Sequence, residues 1–357
     1  MRILIPVLGF GQGGGHRVLS ELASAWTRAG HDVAMLVHEE AGAPYFPTQA
    51  RIIRTDVRGR LTDAVPEGPP KAGFRGLRFV RSLYAGLGRI GRDYDVILAN
   101  HSLTPWPVWA ARTGRARLFY YIQAYEPEVF KMEGHPVKRL LSALSYRLPL
   151  RQIVNGPLYL DYKGIKAQAV VPFGIDLETF RFKGPPAPLA GAEEIVLGCI
   201  GSSGPTKGTA YVLAAFEKLW AQDKRYRLRV AYGNLPEGWS HPACEIVTPA
   251  DDSGLAAFYR SLDILIAAGT VQHGAPHYPV LEAMASGTAV VTTGYMPAHE
   301  SNSWLARNRD SDSLAEKVEE IVAGAGHEAR VMRARDDVMD FAWDRIAAKM
   351  IAQFERP

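Results

Sequence analysis

Short apolar runs alternate along the chain with segments whose apolar residues recur every three or four positions. Residues 2–8, 32–37 and 95–100 are runs of the first kind, which a strand covered on both faces produces. Residues 16–28 are of the second kind and predict a helix with one apolar face. Because strand, helix and strand follow one another, the pattern predicts a parallel sheet with right-handed crossovers.

The same alternation begins again in the second half, after a stretch rich in Gly and Pro at 181–194 that predicts a loop. The predicted fold class is therefore α/β, with two Rossmann-like parallel-sheet domains. Further strands are predicted at 117–122, 152–155, 169–171, 195–200, 227–232, 263–267 and 289–291, and further helices at 209–222, 252–261, 313–323 and 337–354.

Length and composition agree with a globular protein of two domains. The chain has 357 residues, of which 47% are hydrophobic and 22% are charged. No apolar run reaches the roughly 18 residues that a membrane span needs, and the run at 2–8 predicts a strand, not a signal peptide. Cys199 lies within an apolar run and only Cys244 accompanies it, so we expect a reducing, cytoplasmic setting without disulfides.

The loop after the first predicted strand is rich in glycine, and its function stays open at this point. Gly9-x-Gly11-x-x-Gly14 spells a dinucleotide fingerprint, and Glu39 lies near the end of the second strand, as in NAD-dependent oxidoreductases. That activity would need a separate catalytic constellation, which we do not find in the sequence. A tight strand-to-helix turn without a ligand also suits these glycines.

Residues 276–291 read as a turn, a short helix and a buried strand. Pro276 and Pro279 fix the approach, and the helix is predicted to start near Val280. Glu282 then falls in the first turn, where free backbone amides and the helix dipole attract anions. A carboxylate beside such a helix start can hold a ribose and its diphosphate together.

This stretch resembles the donor-binding signature of the GT-B glycosyltransferases, in particular those of glycosyltransferase family 4. Their pattern is a Glu, seven residues, and then Glu-Ala-Met-Ala-x-Gly-x-Pro-Val-Val, whose second half is similar to 282–291. The position of the first Glu holds Gly274. The resemblance implies that Glu282 binds the nucleotide ribose. The neighbouring donor-binding candidates are His277, Tyr278, Pro279, Val280 and Leu281.

A second glycine-rich loop at 201–208 follows the first strand of the second half and resembles the family's Gly-Arg-x-x-x-x-Lys-Gly loop. Ser202 stands where the family has Arg. Lys207 supplies a compact cation for the diphosphate, and the resemblance implies that it stabilises the leaving group as a catalytic residue. The remaining donor-binding candidates are Ser202 itself and Gly13, Gly14 and Gly15 of the first loop.

Two candidates in the first half follow predicted strands. His101 comes directly after 95–100, at the strand end where ligands of open parallel sheets gather. A His at this place faces the transferred sugar in the resembling family, which implies a catalytic and acceptor-binding role. Gln123-Ala124-Tyr125-Glu126-Pro127 resembles the Gln-Asp-Tyr-Glu-Pro signature of a branch with bacterial rhamnosyltransferases, although Ala124 replaces Asp. Gln123 and Glu126 are therefore acceptor-binding candidates, and Glu126 could equally cap the following helix.

The resemblance covers nearly the whole chain and implies GT-B architecture, in which two domains face each other across a cleft. It implies an acceptor domain at 1–171, a junction at 172–194, a nucleotide-sugar donor domain at 195–336, and a helix at 337–357 that crosses back to the first domain. The implied reaction is retaining transfer of a sugar, such as the deoxyhexose rhamnose, from a nucleotide-diphosphate donor to a glycan or lipid-linked acceptor. Cell-surface polysaccharide or glycoconjugate biosynthesis is the implied setting.

The same comparison bears on cofactors, partners and alternatives. No cofactor or metal is expected beyond the donor, since no Cys/His cluster or HExxH pattern occurs. Nucleic acid is not expected as a partner. Because Gly274 and Ser202 replace a carboxylate and a cation of most relatives, a non-catalytic sugar-nucleotide-binding module stays open beside the NAD-dependent oxidoreductase.

Residues 51–117 form a basic region, with 13 Lys or Arg against five Asp or Glu. Within them, 71–92 predict a helix with Arg on one side and apolar residues on the other. Such a helix could dock the first domain on an anionic membrane surface, at the inner face of the plasma membrane. Alternatively, its apolar side packs on the core and leaves a solvated Arg face.

Overall fold

The computed structural model describes residues 1–66, 75–324 and 326–356, with the backbone alone described at Arg75 and Gly76. The chain divides into two compact units. The first is Met1–Gly174 together with Trp343–Pro357, and the second is Ile175–Ala342.

The first unit is built on a sheet that has eight strands in the described part of the chain. The strands are β1 (Arg2–Pro6), β2 (Asp32–His38), β3 (Arg51–Thr55), β4 (Leu61–Thr62), β5 (Val96–Ala99), β6 (Arg117–Ile122), β7 (Arg151–Val154) and β8 (Ala169–Val170). Their order is β4-β3-β2-β1-β5-β6-β7-β8, and the short edge strand β4 is antiparallel to β3 while the others pair in parallel. The order reverses between β1 and β5, which is the switch point where α/β sheets bind ligands.

Helices and 3₁₀ turns connect these strands. They are α1 (Gly14–Arg28), α2 (Arg75–Ile90), α3 (Pro105–Ala110), α4 (Glu126–Met132) and α5 (Pro136–Ser145), with 3₁₀ turns at Gly91–Asp93 and Pro157–Asp161. Leu22 and Trp26 of α1 are fully buried, as its apolar stripe predicts.

The predicted helix at 71–92 can be compared with the structure from residue 75 onwards, and it differs at its C-terminal end. Residues 71–74 lie outside the described residues, α2 ends at Ile90, and a 3₁₀ turn follows it. Leu83 and Leu87 are fully buried, whereas Leu77 is 70% exposed and Tyr84 is 48% exposed. The alternative that the apolar side packs on the core therefore holds for part of this side, and another part of it is exposed.

The second unit has a parallel sheet, with six strands among the residues described. They are β9 (Ile195–Ile200), β10 (Tyr226–Ala231), β11 (Cys244–Val247), β12 (Ile264–Ala267), β13 (Ala289–Thr292) and β14 (Trp304–Leu305), in the order β11-β10-β9-β12-β13-β14. The helices are α6 (Thr209–Gln222), α7 (Asp252–Arg260), α8 (Tyr278–Ser286), α9 (Ser311–Val322) and α10 (His327–Val338), with 3₁₀ turns at Pro205–Lys207 and Met339–Phe341. Here the switch point lies between β9 and β12.

The last helix, α11 (Trp343–Glu355), belongs to the first unit. The indole Nε1 of Trp26 donates to the carbonyl of Ala347 at 3.1 Å, and the rings of Trp26 and Phe354 lie 5.6 Å apart. The prediction of a single helix at 337–354 is wrong. The chain leaves helical geometry because the carbonyl of Phe341 accepts a hydrogen bond from the amide of Ile175 at 2.8 Å.

No helix in the described ranges is long and apolar enough to span a membrane.

Candidate active site

The loop between β9 and α6 lies directly against the loop that follows β12. The amide of Thr270 donates to the carbonyl of Thr206 at 2.9 Å. Gly208 has φ +77°, and a Cβ at this position would lie 1.8 Å from the carbonyl oxygen of Ala268. Only glycine fits this approach. The glycine-rich loop is therefore held at the switch point, and it presents the exposed side chain of Lys207 there.

A cavity of about 300 Å³ opens beside this loop. Its walls include Ser202, Thr209 and Tyr211, with Leu235 and Glu237 from the segment after β10. Thr209 fixes the backbone of Ser202. The Thr209 hydroxyl accepts a hydrogen bond from the amide of Ser202 at 3.1 Å and donates one to the carbonyl of Ser202 at 2.9 Å. The volume is at the lower end of the ~300–1,000 Å³ range of small-molecule sites.

Helix α8 begins earlier than the sequence predicts. Its first residue is Tyr278, with His277 as the N-cap residue, so the predicted start near Val280 is wrong. Proline is accepted in a first helical turn because the N–H it lacks has no partner there. The amides of Val280 and Leu281 both donate to the carbonyl of His277 at 3.1 Å. These two N–H groups are therefore engaged within the helix.

The early start also moves Glu282 out of the first turn, which contains no acidic residue. Glu282 is 2% exposed, and its Oε2 accepts a hydrogen bond from the hydroxyl of Tyr259 on α7 at 2.9 Å. The predicted place of Glu282 in the first turn is wrong, because the helix already begins at Tyr278 and Glu282 therefore falls in the second turn. A buried carboxylate must be hydrogen-bonded to be tolerated, and Tyr259 meets that need.

The imidazole of His277 packs on the ring of Tyr295 and feels the charge of Lys207. The two rings stack with centroids 4.4 Å apart. Burial, together with the positive charge of Lys207, lowers the pKa of His277 to about 3. Its Nδ1 is buried and has no hydrogen-bond partner among the residues that the structure describes. His277 is therefore neutral near pH 7 and adds no second charge to that of Lys207.

Gly274, at the position of the family's first Glu, has a backbone that suits glycine. Its φ is +84°, and its amide donates to the carbonyl of Gly294 at 2.7 Å. A side chain in this conformation is strained. Any residue with a side chain, Glu included, would therefore be strained at this position of the chain.

His101 follows β5 at the switch point of the first unit. Its Nδ1 accepts a hydrogen bond from the amide of Leu103 at 3.2 Å. Its Nε2 lies 3.4 Å from Oε2 of Glu126.

Glu126 is the first residue of α4, and its carboxylate holds the loop after β5. Its Oε1 accepts from the amide of Ser102 at 3.0 Å, and the hydroxyl of Ser102 donates to Oε2. The N-cap residue of α4 is Tyr125, and no side chain caps the helix. The capping alternative for Glu126 is therefore wrong, because its carboxylate turns to the neighbouring strand end.

The glycine loop after β1 lies beside Gln123. The Nε2 of Gln123 donates to the carbonyl of Gly15 at 3.4 Å, and Gly13 precedes α1 as its N-cap residue. Gly13, Gly14 and Gly15 are all exposed. The pKa of the adjacent His16 is lowered by burial and by the proximity of His101.

The predicted site residues thus form two groups. Gly13, Gly14, Gly15, His101, Gln123 and Glu126 lie in the first unit, and Ser202, Lys207, His277, Tyr278, Pro279, Val280, Leu281 and Glu282 lie in the second. The sequence analysis missed Tyr259 and Tyr295, which hold Glu282 and His277. No sequence pattern connects either tyrosine to its partner, whereas Ser102, beside His101, could have been included.

Within the described ranges, no group of three or more His, Cys, Asp or Glu side chains is placed to hold a metal ion.

Family profiles assign both units. Residues 13–154 match the family described as "Glycosyl transferase 4-like domain", and residues 194–323 match "Glycosyl transferases group 1". The chain is therefore a glycosyltransferase. It belongs with the group 1 and family 4-like enzymes, and this assignment sets aside the oxidoreductase and the non-catalytic binding module. No curated protein sequence matches the chain at a significant level.

Solved structures share the fold over the whole chain. Sucrose-phosphate synthase from Thermosynechococcus elongatus is 20% identical with a TM-score of 0.74, covering 99% of this chain and 98% of the other. Anabaena Alr3699/HepE in complex with UDP and glucose is 17% identical with a TM-score of 0.69, covering 99% of each chain. WaaG, a glycosyltransferase involved in lipopolysaccharide biosynthesis, is 13% identical with a TM-score of 0.64, covering 99% and 100%. The fold is GT-B.

Proposed function

We propose that the protein is a retaining glycosyltransferase of cell-surface polysaccharide or glycoconjugate biosynthesis. It moves a sugar, such as the deoxyhexose rhamnose, from a nucleoside-diphosphate donor to a glycan or lipid-linked acceptor. The observation that carries the proposal is the pair of loops at the switch point of the second sheet, where Lys207 is exposed beside a cavity of about 300 Å³. HepE, which has the same fold, is complexed with UDP and glucose.

In this proposal the second unit binds the donor. The cavity at Ser202 receives part of the nucleotide, Glu282 serves the ribose, and Lys207 faces the diphosphate. The bond between the anomeric carbon and the diphosphate oxygen breaks, a bond to the acceptor hydroxyl oxygen forms, and the hydroxyl proton leaves with the products. Lys207 lowers the barrier because negative charge develops on the departing diphosphate. Because His277 is neutral, it adds no positive charge to that of Lys207 beside the diphosphate.

The first unit binds the acceptor in the same proposal. His101 lies near the sugar, Gln123 offers its amide, and Glu126 fixes the loop that carries His101. A deoxy sugar suits the absence of the family's Glu and Arg at Gly274 and Ser202, since it lacks hydroxyls that such groups hold. The protein then acts in the cytoplasm, at the inner face of the plasma membrane.

A thermal-shift panel of UDP, GDP, dTDP and NAD tests the donor class, because a ligand that binds only the folded state raises the apparent stability. We expect one nucleoside diphosphate to raise the thermal midpoint and NAD to leave it unchanged. A shift with NAD alone would contradict the proposal.

Membrane docking through residues 71–92 is the second part of the proposal. Arg78 is engaged by Glu39 at 3.4 Å and by Glu40 at 2.9 Å, so the exposed Arg81, Arg89 and Arg92 would make the contact. Each cation near an anionic surface is worth ~1 kcal/mol. We expect the protein to sediment with phosphatidylglycerol vesicles at low salt and less so at physiological salt. Recovery in the supernatant at both would reject the docking.

A further inference from the structure

A groove with an apolar lining crosses the surface of the first unit. One part, of about 450 Å³, lies between α2 and α3, and a second part, of about 580 Å³, lies between α2 and the start of α5. Leu77, Val80 and Trp106 line both parts. Both volumes fall within the ~300–1,000 Å³ of small-molecule sites.

Exposed apolar side chains line the groove and also occur elsewhere on α4 and α5. Leu77 is 70% exposed and Val137 is 69% exposed, and Leu140 of α5 and Met132 of α4 are 60% and 75% exposed. Single exposed apolar residues are common, whereas a cluster of this kind marks a surface that binds a partner or a membrane.

The charges at the groove are positive. Arg81 lines the part between α2 and α3, Lys138 lines the other part, and no carboxylate lines either part among the described residues. Lys131 and Arg139 add two cations on α4 and α5, and Glu133 lies 4.0 Å from His135. The groove therefore suits a ligand with a hydrocarbon chain and an anionic head.

The groove also adjoins the candidate acceptor site. Leu103 lines its larger part, and the amide of Leu103 donates to Nδ1 of His101 at 3.2 Å. The indole Nε1 of Trp106 is buried and has no hydrogen-bond acceptor within the part of the chain that the structure describes.

We propose that the groove binds the hydrocarbon chain of a phosphate-bearing lipid and that this lipid is the acceptor, whose head group then lies at His101. The inference rests on the proposed function and names the acceptor class. The cations around the groove favour this lipid over an apolar segment of a protein. An apolar segment would fill the groove without using these cations, whereas the phosphate of a lipid would pair with them.

Dodecyl phosphate, kept below its micelle concentration, is the probe. We expect it to raise the thermal midpoint of the full chain in a saturable way, and inorganic phosphate to have no effect. Leu77→Asp and Val137→Asp should each weaken the apparent affinity at least about tenfold. Both side chains are largely exposed, so folding tolerates the change. Leu160→Asp and Ile246→Asp are matched controls at residues 45% and 57% exposed outside the groove, and should bind as the wild type does.

Three outcomes would overturn the inference. They are equal binding by the groove variants and the wild type, a full shift with inorganic phosphate alone, and a wild-type dimer that Val137→Asp dissociates without any binding of dodecyl phosphate. The nucleotide panel on the same variants separates the two proposals. Loss of lipid binding with intact nucleotide binding concerns the groove, whereas a wild type that binds dodecyl phosphate but no nucleotide rejects the proposed transfer and leaves the lipid site standing.

Discussion

Each unit carries one glutamate from a family-like signature, and the two carboxylates are held in different ways. Glu126 is the first residue of α4, with a side chain 15% exposed, and Ser102 binds it from the loop after β5. Glu282 lies in the second turn of α8, is 2% exposed, and accepts from Tyr259 on the neighbouring helix. Glu126 holds the loop after β5 in the first unit, whereas Glu282 connects α7 and α8 in the second unit.

The difference shows that a signature predicts a residue type, whereas packing decides what that residue can touch. Glu126 retains partial access to solvent, so it can act on a ligand as well as on His101. Glu282 can act on a donor only from within the protein, and part of any effect of its loss must be structural. Substitution of Glu282 should therefore change ligand binding and stability together, whereas substitution of Glu126 should change them more independently.

The largest effect is expected for Glu282→Ala. It removes the acceptor of the Tyr259 bond and the proposed ribose contact, so donor affinity should fall by roughly 1.5–3 kcal/mol, the worth of hydrogen bonds to a charged group. The thermal midpoint should fall as well. Calorimetric titration with the nucleoside diphosphate found by the panel measures the first effect.

Tyr259→Phe is the control for Glu282, because it removes the hydroxyl and keeps the carboxylate. It should lower the thermal midpoint while most of the donor affinity remains. Unchanged affinity in a folded Glu282→Ala protein would take Glu282 out of the donor site.

Lys207→Ala should act on turnover more than on donor binding, because Lys207 faces charge that develops during the reaction. We expect kcat to fall about tenfold or more, which corresponds to ~1.4 kcal/mol of lost stabilisation. Lys218→Ala is the matched control, since Lys218 lies on α6 and pairs with Asp312. Steady-state kinetics at saturating donor measure kcat. If Lys207→Ala turns over at the wild-type rate, the role of the loop is structural and not catalytic.

His277 makes the stability of the protein depend on pH. Its pKa is lowered to about 3 in the folded protein, so below pH ~6.5 the unfolded chain binds a proton that the folded chain does not. Stability should therefore fall as the pH drops from about 6.5 towards 3, by at most ~1.4 kcal/mol per pH unit from this group, and stay level above pH 7. Thermal midpoints at pH 7.5 and pH 5 should differ less for His277→Gln than for the wild type. If the two proteins show the same difference in thermal midpoint, the His277 ring is not held neutral by burial.

Much of the fold could be predicted from hydrophobic periodicity. The helix predicted at 209–222 is confirmed as α6, and the strands predicted at 117–122 and 195–200 are confirmed as β6 and β9. These elements are predictable because a strand covered on both faces is apolar throughout and a helix on a sheet is apolar on one face. Both patterns are local in the sequence.

What could not be predicted depends on contacts between distant residues. The helix at 337–354 breaks because Phe341 pairs with Ile175, and Glu282 is buried because Tyr259 lies on an adjacent helix. The exposure of Leu77 on α2 has the same origin. Its apolar character is visible in the sequence, but whether another element covers it depends on the topology.

The smallest effect is expected for Glu126→Gln. The amide keeps an oxygen for the Ser102 N–H but replaces the charge that the Ser102 hydroxyl and His101 Nε2 face. The free energy of unfolding should therefore fall by only about 0.5–1.5 kcal/mol. Transfer to the acceptor should slow while donor affinity stays unchanged, because the loop that carries His101 is held less firmly. Glu128→Gln is the matched control, since Glu128 lies on the same helix and accepts a hydrogen bond from the Tyr162 hydroxyl at 3.4 Å. If both variants transfer sugar at the wild-type rate, Glu126 only supports the fold. If Glu126→Gln loses donor affinity instead, the division of donor and acceptor between the two units is wrong.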